Sequence, residues 1–328
     1  MTSEPRLLVT GGSGFIGTNV IEELGHRSNL AVCNIDIAEP KIKQHRQWWV
    51  DRDVRDLPSL QRVFAEFQPT HLVHLAARTD LHGTSLADYD SNTAGVANVV
   101  AAAETTNSLV KCVFASSRLV CNISTPPDHE YDYSPPNTYG RSKVIGEQIV
   151  RQRASFDWTI VRPTSIWGPW FGVPYRDFFI AVLKNRYVHP AGRTILKSFG
   201  YVGNTVLQVE ALALGDDPRS SRKTLYLADY TPVSVHAMAE AIRSAIGGRP
   251  VRSLPVPLFR AAGFAGSLVQ SAGLVREPPL TKFRVGNLLS DMVFDMSPLS
   301  EIVGDLPIDM SEGVRLTVQH LQEQGEIR

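Results

Sequence analysis

Short apolar runs alternate with segments of helical spacing through the first half of the chain. RLLVT (6–10), LAVCNID (30–36), HLVHLAA (71–77), VKCVFASS (110–117) and WTIVRP (158–163) lack the polar alternation of a strand with one wet face, so they read as buried parallel strands. Between them FIGTNVIEELG, LPSLQRVFAEF, NTAGVANVVAAAETT and TYGRSKVIGEQIVRQ carry helical spacing. Strand and helix in this order predict a doubly wound, Rossmann-type α/β sheet. From about residue 164 the alternation lapses, and Pro, Gly and aromatics crowd together in SIWGPWFGVPYRDFF. A strand-like TLYLA (224–228) and a helical SVHAMAEAIRSAIGG (234–248) follow. The expected division is a Rossmann domain over 1–168, with parts of about 200–248 returning to it. A smaller, interleaved lobe covers 169–328.

Composition narrows the classes. The 328 residues carry 33 basic and 33 acidic side chains, so no general field favours nucleic acid or an anionic membrane. Cys33, Cys112 and Cys121 are odd in number and sit in apolar runs, as expected of buried thiols in a reducing compartment. The first ten residues show no signal-peptide pattern, and AAGFAGSLVQSAGLV (261–275) is too short and too polar to span a bilayer. A soluble cytoplasmic protein without a membrane partner is expected.

TGGSGFIG (10–17) follows a predicted strand and opens a predicted helix. Gly11 permits the tight turn, Gly14 lets the backbone approach a pyrophosphate, and Gly17 lets the helix pack closely on the sheet. The helix N-terminus is left as an anion site. Asp36 ends the second strand, where a carboxylate can accept hydrogen bonds from ribose hydroxyls and repel a 2′-phosphate, so NAD is favoured over NADP. Asp53, in VDRDVRD, follows the third strand and could reach the adenine amine or stand as an exposed turn charge.

FASS (114–117) ends an apolar strand on two hydroxyls, and YGRSK (139–143) starts a helix 22 residues after Ser117. Positions i and i+4 share a helical face, so Tyr139 and Lys143 project together. A phenol titrates near pH ~10; a lysine cation and a positive nicotinamide ring beside it would depress that value. Ser117 can bond a substrate oxygen and share its proton with Tyr139. The set suits oxidation of an alcohol or reduction of a ketone.

With these residues in place the chain resembles the extended short-chain dehydrogenases/reductases, the NAD-dependent epimerase/dehydratase family. The resemblance spans nearly the whole chain and rests on TGGSGFIG, Asp36, DVRD (53–56), HLAA (74–77), Asn92 before a helix, FASS, YGRSK and VRPTSIWGP (161–169). It implies that Ser117, Tyr139 and Lys143 are catalytic. It further implies that NAD is held by Gly11, Gly14, Phe15, Ile16, Gly17, Asp36, Asp53, Val54, Leu75, Ala76, Ala77, Asn92, Pro163 and Ser165, with Tyr139 and Lys143. The substrate, a nucleotide-diphosphate sugar, would meet Ser117, Ser165, Lys197 and Arg284. A homodimer through the helices near 90–107 and 139–153 is also implied.

Family members that dehydrate a hexose carry Asp-Glu directly after the catalytic hydroxyl, whereas this chain has Arg118 and Leu119. Leucine can neither give nor take a proton, so chemistry that needs a second acid or base is disfavoured. Redox at one carbon remains, most simply an NAD-dependent 4-epimerase. A 4-ketosugar reductase, a secondary-alcohol dehydrogenase acting on a sterol-like or small alcohol, and a catalytically silent NAD-binding regulator are the alternatives. Ser165 stands where the family commonly has Asn. KSFGYVGN (197–204) replaces a motif that begins with Arg and ends with Asp, leaving Lys197 and Asn204 in their places. His71 and His74, three apart on a strand, point to opposite faces, so no metal is expected. Trp48 and Trp49 are expected to pack beside the sheet; the Trp167–Phe171 cluster could stack on a sugar or base, or simply pack.

Overall fold

The computed structural model describes residues 4–122, 127, 129–271 and 282–327. The five predicted apolar runs become strands β1 (Arg6–Thr10), β2 (Ala31–Asp36), β4 (His71–His74), β5 (Lys111–Ala115) and β6 (Asp157–Pro163), and a short β3 (Trp49–Asp51) forms between the second and third of these runs. Four short strands follow, β7 (Ser165–Trp167), β8 (Val188–Ala191), β9 (Leu196–Lys197) and β10 (Phe199–Tyr201), and then β11 (Lys223–Leu227). One parallel sheet of seven strands runs in the order β11–β6–β5–β4–β1–β2–β3. Its order reverses between β1 and β4, and a crevice opens at the carboxyl ends of the strands at such a point.

Helices cover both faces, as a sheet buried on both sides requires. On one side α1 (Phe15–Leu24) packs with α6 (Val202–Leu214), named here after α5 (Tyr175–Leu183). The opposite side carries α2 (Leu57–Phe67), α3 (Ala94–Glu104) and α4 (Thr138–Arg153). Strand β11 returns to the sheet beside β6, and β12 (Val233–Ser234), α7 (Val235–Ser244) and β13 (Arg252–Pro255) follow it. The C-terminal part continues through α8 (Val256–Ser271), α9 (Lys282–Leu289), α10 (Ser297–Val303) and α11 (Met310–Glu323). A separate aromatic-rich core there includes Trp167, Phe171, Phe179, Tyr201 and Val314.

The strands end sooner than their apolar runs. β4 stops at His74 and β5 at Ala115, and only the next amides, those of Leu75 and Ser116, still donate to neighbouring-strand carbonyls, of Thr10 and Val161. Cys33, Cys112 and Cys121 are buried free thiols. Among the described residues no helix is long and apolar enough to cross a membrane.

Candidate active site

The two hydroxyls that end β5 face opposite ways. Ser116 Oγ donates to Glu147 Oε1 at 2.5 Å, behind the site. Ser117, also buried, accepts a hydrogen bond from the Leu119 amide at 3.1 Å and caps the short turn Arg118–Val120. Helix α4 starts at the Asn137 cap, whose side chain accepts from the Gly140 amide at 2.8 Å. A Cβ at Gly140 would stand 2.2 Å from the Leu119 carbonyl oxygen, so glycine is what lets the first turn of α4 press against the turn after Ser117. That approach sets Tyr139 beside Ser117, near enough for the serine hydroxyl to pull on its phenol.

Lys143, one turn on, is buried and donates from Nζ to the Ala115 carbonyl at 2.8 Å. Burial lowers its ammonium to about 8, with Glu147 opposing the shift. Tyr139 departs from the sequence expectation. Burial pushes its phenol up, against the Ser117 hydrogen bond and the weaker pull of the Arg118 guanidinium, and the net direction is upward. Arg118, read from sequence only as a missing acid, is therefore a cation of the site. Arg118 also repels Lys197, which burial and that repulsion lower to about 8.

Behind the triad lies a buried charged network. Glu147 takes hydrogen bonds from Arg162 Nε at 2.9 Å, Arg162 Nη2 at 2.8 Å and Tyr133 Oη at 2.8 Å. Its spacing, i+4 from Lys143, was visible in the sequence; its partner fifteen residues on was not. His74 bonds Thr10 Oγ1 through Nδ1 at 2.6 Å, and burial holds its ring neutral, down at about 3. With Asn92, Ser116, Lys143 and Glu147 it lines a cavity of about 10 Å³, the size of one water. His71 bonds Thr70 instead, and no metal-ligating cluster occurs among the described residues.

The nucleotide side of the crevice fits a dinucleotide. A Cβ at Gly17 would lie 2.1 Å from the Gly11 carbonyl oxygen, so loop and helix touch as that motif requires. No side chain caps α1 at Gly14, and Gly14 is exposed, which leaves the first helix amides open to a pyrophosphate. Phe15 and Ile16 follow half-buried, Phe15 against Phe171 at 6.3 Å between ring centroids. Asp36 takes the Ser13 amide at 3.0 Å and the Ala38 amide at 2.9 Å, which sets it beside the loop for a ribose. Leu75, Ala76 and Ala77 continue β4 as the floor, with the Leu75 amide on the Thr10 carbonyl at 2.9 Å.

Other predicted residues have partners of their own. Asp53 ion-pairs with Arg55 at 2.6 Å, and its carboxyl is lowered by that contact. Val54 is buried under α3. Asn92, wholly buried, is a strut: it bonds Ser142 Oγ at 3.0 Å and the Arg78 backbone at 2.8 and 2.9 Å. Pro163 ends β6 half-buried; Ser165 beside it is buried and accepts from Tyr175 Oη at 2.8 Å. Lys197 Nζ donates to the Ser290 carbonyl at 3.0 Å. Asn204 spans Asp229 and the Ile308 carbonyl at 2.9 and 2.7 Å, so it ties two segments together. The Arg284 side chain lies outside the described residues. Trp167 is 1% exposed against Phe179 and Tyr201, so of the two roles open to it packing is the one it performs.

Known proteins resemble this chain over most of its length. The chain is 25% identical over 96% of its length to an N-acetyl-alpha-D-glucosaminyl-diphospho-ditrans,octacis-undecaprenol 4-epimerase of Escherichia coli O157:H7, of which the match covers 94%. A UDP-glucuronate 4-epimerase of Arabidopsis thaliana is 28% identical over 61% of this chain, and the match spans about half, 53%, of that protein. The crystal structure of a UDP-glucose 4-epimerase from Thermotoga maritima with UDP-glucose superposes with a TM-score of 0.72 over 97% of this chain and 99% of that one, at 19% identity. A sequence profile matching residues 7–245 settles the assignment: the chain belongs to the NAD-dependent epimerase/dehydratase family and is an NAD-dependent enzyme of the extended short-chain dehydrogenase/reductase type.

Proposed function

We propose that the protein is a 4-epimerase of a diphosphate-linked sugar, with Ser117, Tyr139 and Lys143 as the catalytic residues. NAD, when bound, supplies the acceptor and donor for the hydride at C4. The chain handles the proton. Ser117 holds the C4 oxygen by a hydrogen bond, and Tyr139 Oη takes the hydroxyl proton and later returns it. Lys143, tethered to Ala115 and cationic below about pH 8, stabilises the phenolate and reaches the ribose. Arg118 adds a second positive charge on the phenol and, with Lys197, a place for the sugar diphosphate. The 4-keto sugar presents its other face before the proton returns.

The observation that carries this reading is the close packing of the first turn of α4, with Tyr139 and Lys143, on the turn that holds Ser117 and Leu119. These three residues support a proton relay, and the neighbouring place for a second acid or base holds an alkyl chain. The carrier beyond the diphosphate differs among the relatives: a nucleoside in one, a polyprenol in another. A homodimer through α3 and α4 is part of the proposal, since these helices pack side by side on one face.

The test is NMR of UDP-galactose, UDP-N-acetylgalactosamine and UDP-glucuronate with the protein in D2O. Inversion at C4 with the C4 hydrogen retained is expected, because the hydride never meets solvent. Tyr139→Phe should lower kcat by about 10²–10⁴-fold with NAD affinity nearly unchanged. Stoichiometric consumption of added reduced cofactor without inversion would make the protein a reductase instead.

A further inference from the structure

Helix α8 is turned inside out. At 3.6 residues per turn, Pro257, Leu258, Ala261, Ala262, Ala265 and Leu268 share one side, and all six are exposed. Leu258 is 54% and Leu268 56% exposed, while Phe259 and Gly263 are buried on the inward side. Leu254, on the preceding β13, adds another half-exposed leucine at 44%. A surface helix ordinarily sets its polar side outward; this one offers water a stripe with no polar group.

Charge beside the stripe has one sign. From Ile246 to Ser271 the chain contains Arg249, Arg252 and Arg260, all exposed, and no Asp or Glu. An apolar helix face bordered by arginines matches an anionic lipid surface, where alkyl groups enter the acyl boundary and guanidinium groups meet phosphates. A second copy of the same face would set like charges against each other across a two-fold axis, which disfavours self-pairing. The helix has 16 residues and is not long and apolar enough to cross a membrane.

The stripe also leads to the chemistry. Beneath α8 a cavity of about 460 Å³ is lined by Arg193, Arg260, Val285, Leu289 and Ser290. The Ser290 carbonyl binds Lys197 Nζ, and Lys197 feels Arg118, the neighbour of Ser117. Cationic side chains thus run from α8 to the neighbourhood of Ser117.

We propose that the outward face of α8 docks on an anionic bilayer and that the sugar reaches Tyr139 as the headgroup of a membrane-embedded lipid diphosphate. The substrate half of this rests on the epimerase reading above; the docking half does not.

The experiment is co-sedimentation of the whole protein with phosphatidylcholine vesicles, with or without phosphatidylglycerol, at low and raised salt. Binding to the anionic vesicles, weakened by salt, is expected. Leu258→Glu/Leu268→Glu should weaken it by about tenfold or more, and Arg249→Gln/Arg252→Gln should remove most of its salt dependence. All four positions are exposed, so both double variants should keep the wild-type Tm and turnover of soluble UDP-sugars. With a farnesyl-diphosphate-linked N-acetylhexosamine held in the same vesicles, the leucine variant should lose kcat/KM for that substrate alone. Failure to bind either vesicle, or undiminished binding by the leucine variant, overturns the docking face. A dimer that this variant dissolves, in a protein that ignores vesicles, also overturns it and assigns the stripe to a second copy. Equal loss of kcat/KM on soluble and vesicle-borne sugars overturns the substrate class. Vesicle binding without any 4-epimerisation leaves docking standing and refutes the epimerase reading.

Discussion

Leu72 and Leu258 are the same side chain in opposite surroundings. The first, in β4, has no exposed surface between the helices that flank the sheet; the second, on α8, is more than half exposed. Burying a leucine is worth about 1.5–3 kcal/mol, so the sheet gains from each of its apolar residues what α8 forgoes. The same contrast holds for charge. Two cations behind the relay are paired or tethered, Arg162 on Glu147 and Lys143 on Ala115, whereas Arg249 and Arg260 are exposed. Stability explains one end of the molecule. At the other, the arrangement has to be explained by something it meets.

Three measurements sharpen this comparison, the largest effect first. Glu147→Ala strips the partner from a guanidinium that is 1% exposed, and should cost about 3–5 kcal/mol in a urea titration. A loss below ~1 kcal/mol would mean that solvent reaches Arg162. Leu72→Ala and Leu258→Ala form a pair: the first should cost about 2–5 kcal/mol and the second under ~0.5 kcal/mol. Equal costs would mean that α8 is covered by something in solution.

The third is a pH limb. Folding lowers Lys143 from 10.5 to about 8, so between those values the unfolded chain holds a proton that the folded one has released. Unfolding free energy should therefore rise across that window, with Lys197, also lowered to about 8, adding to it. Below about pH 8 both lysines are charged in both states, and the burial penalty is fully present. Lys143→Met should flatten part of the rise; an unchanged slope would show that Lys143 is hydrated.

Much of the first end could be read from the chain. A parallel sheet covered on both faces uses uninterrupted apolar runs, and HLVHLAA or VKCVFASS announces itself without tertiary knowledge. Tyr139 and Lys143 were legible because one helical turn fixes their relation, and Ser117 because strand ends in such a sheet line a crevice. Long-range pairings were not. Nothing local ties Ser116 to Glu147, Glu147 to Arg162, or Tyr175 to Ser165. Nor does local sequence reveal that Lys197 faces Arg118. The upward shift of Tyr139 also escaped, since desolvation depends on everything packed around the phenol rather than on the lysine four residues away. AAGFAGSLVQSAGLV was dismissed as a span on length and polarity, a sound conclusion that says nothing about which side of the helix faces water. A net charge of zero likewise averaged away the arginines at 249, 252 and 260.

The Tyr175 hydroxyl on Ser165 has a bearing on selectivity. The serine oxygen already accepts from this phenol and has one hydrogen left to donate. On the epimerase reading, a sugar oxygen set to accept that hydrogen would be held in register, and an epimer whose hydroxyl points elsewhere would leave the original couple as it is.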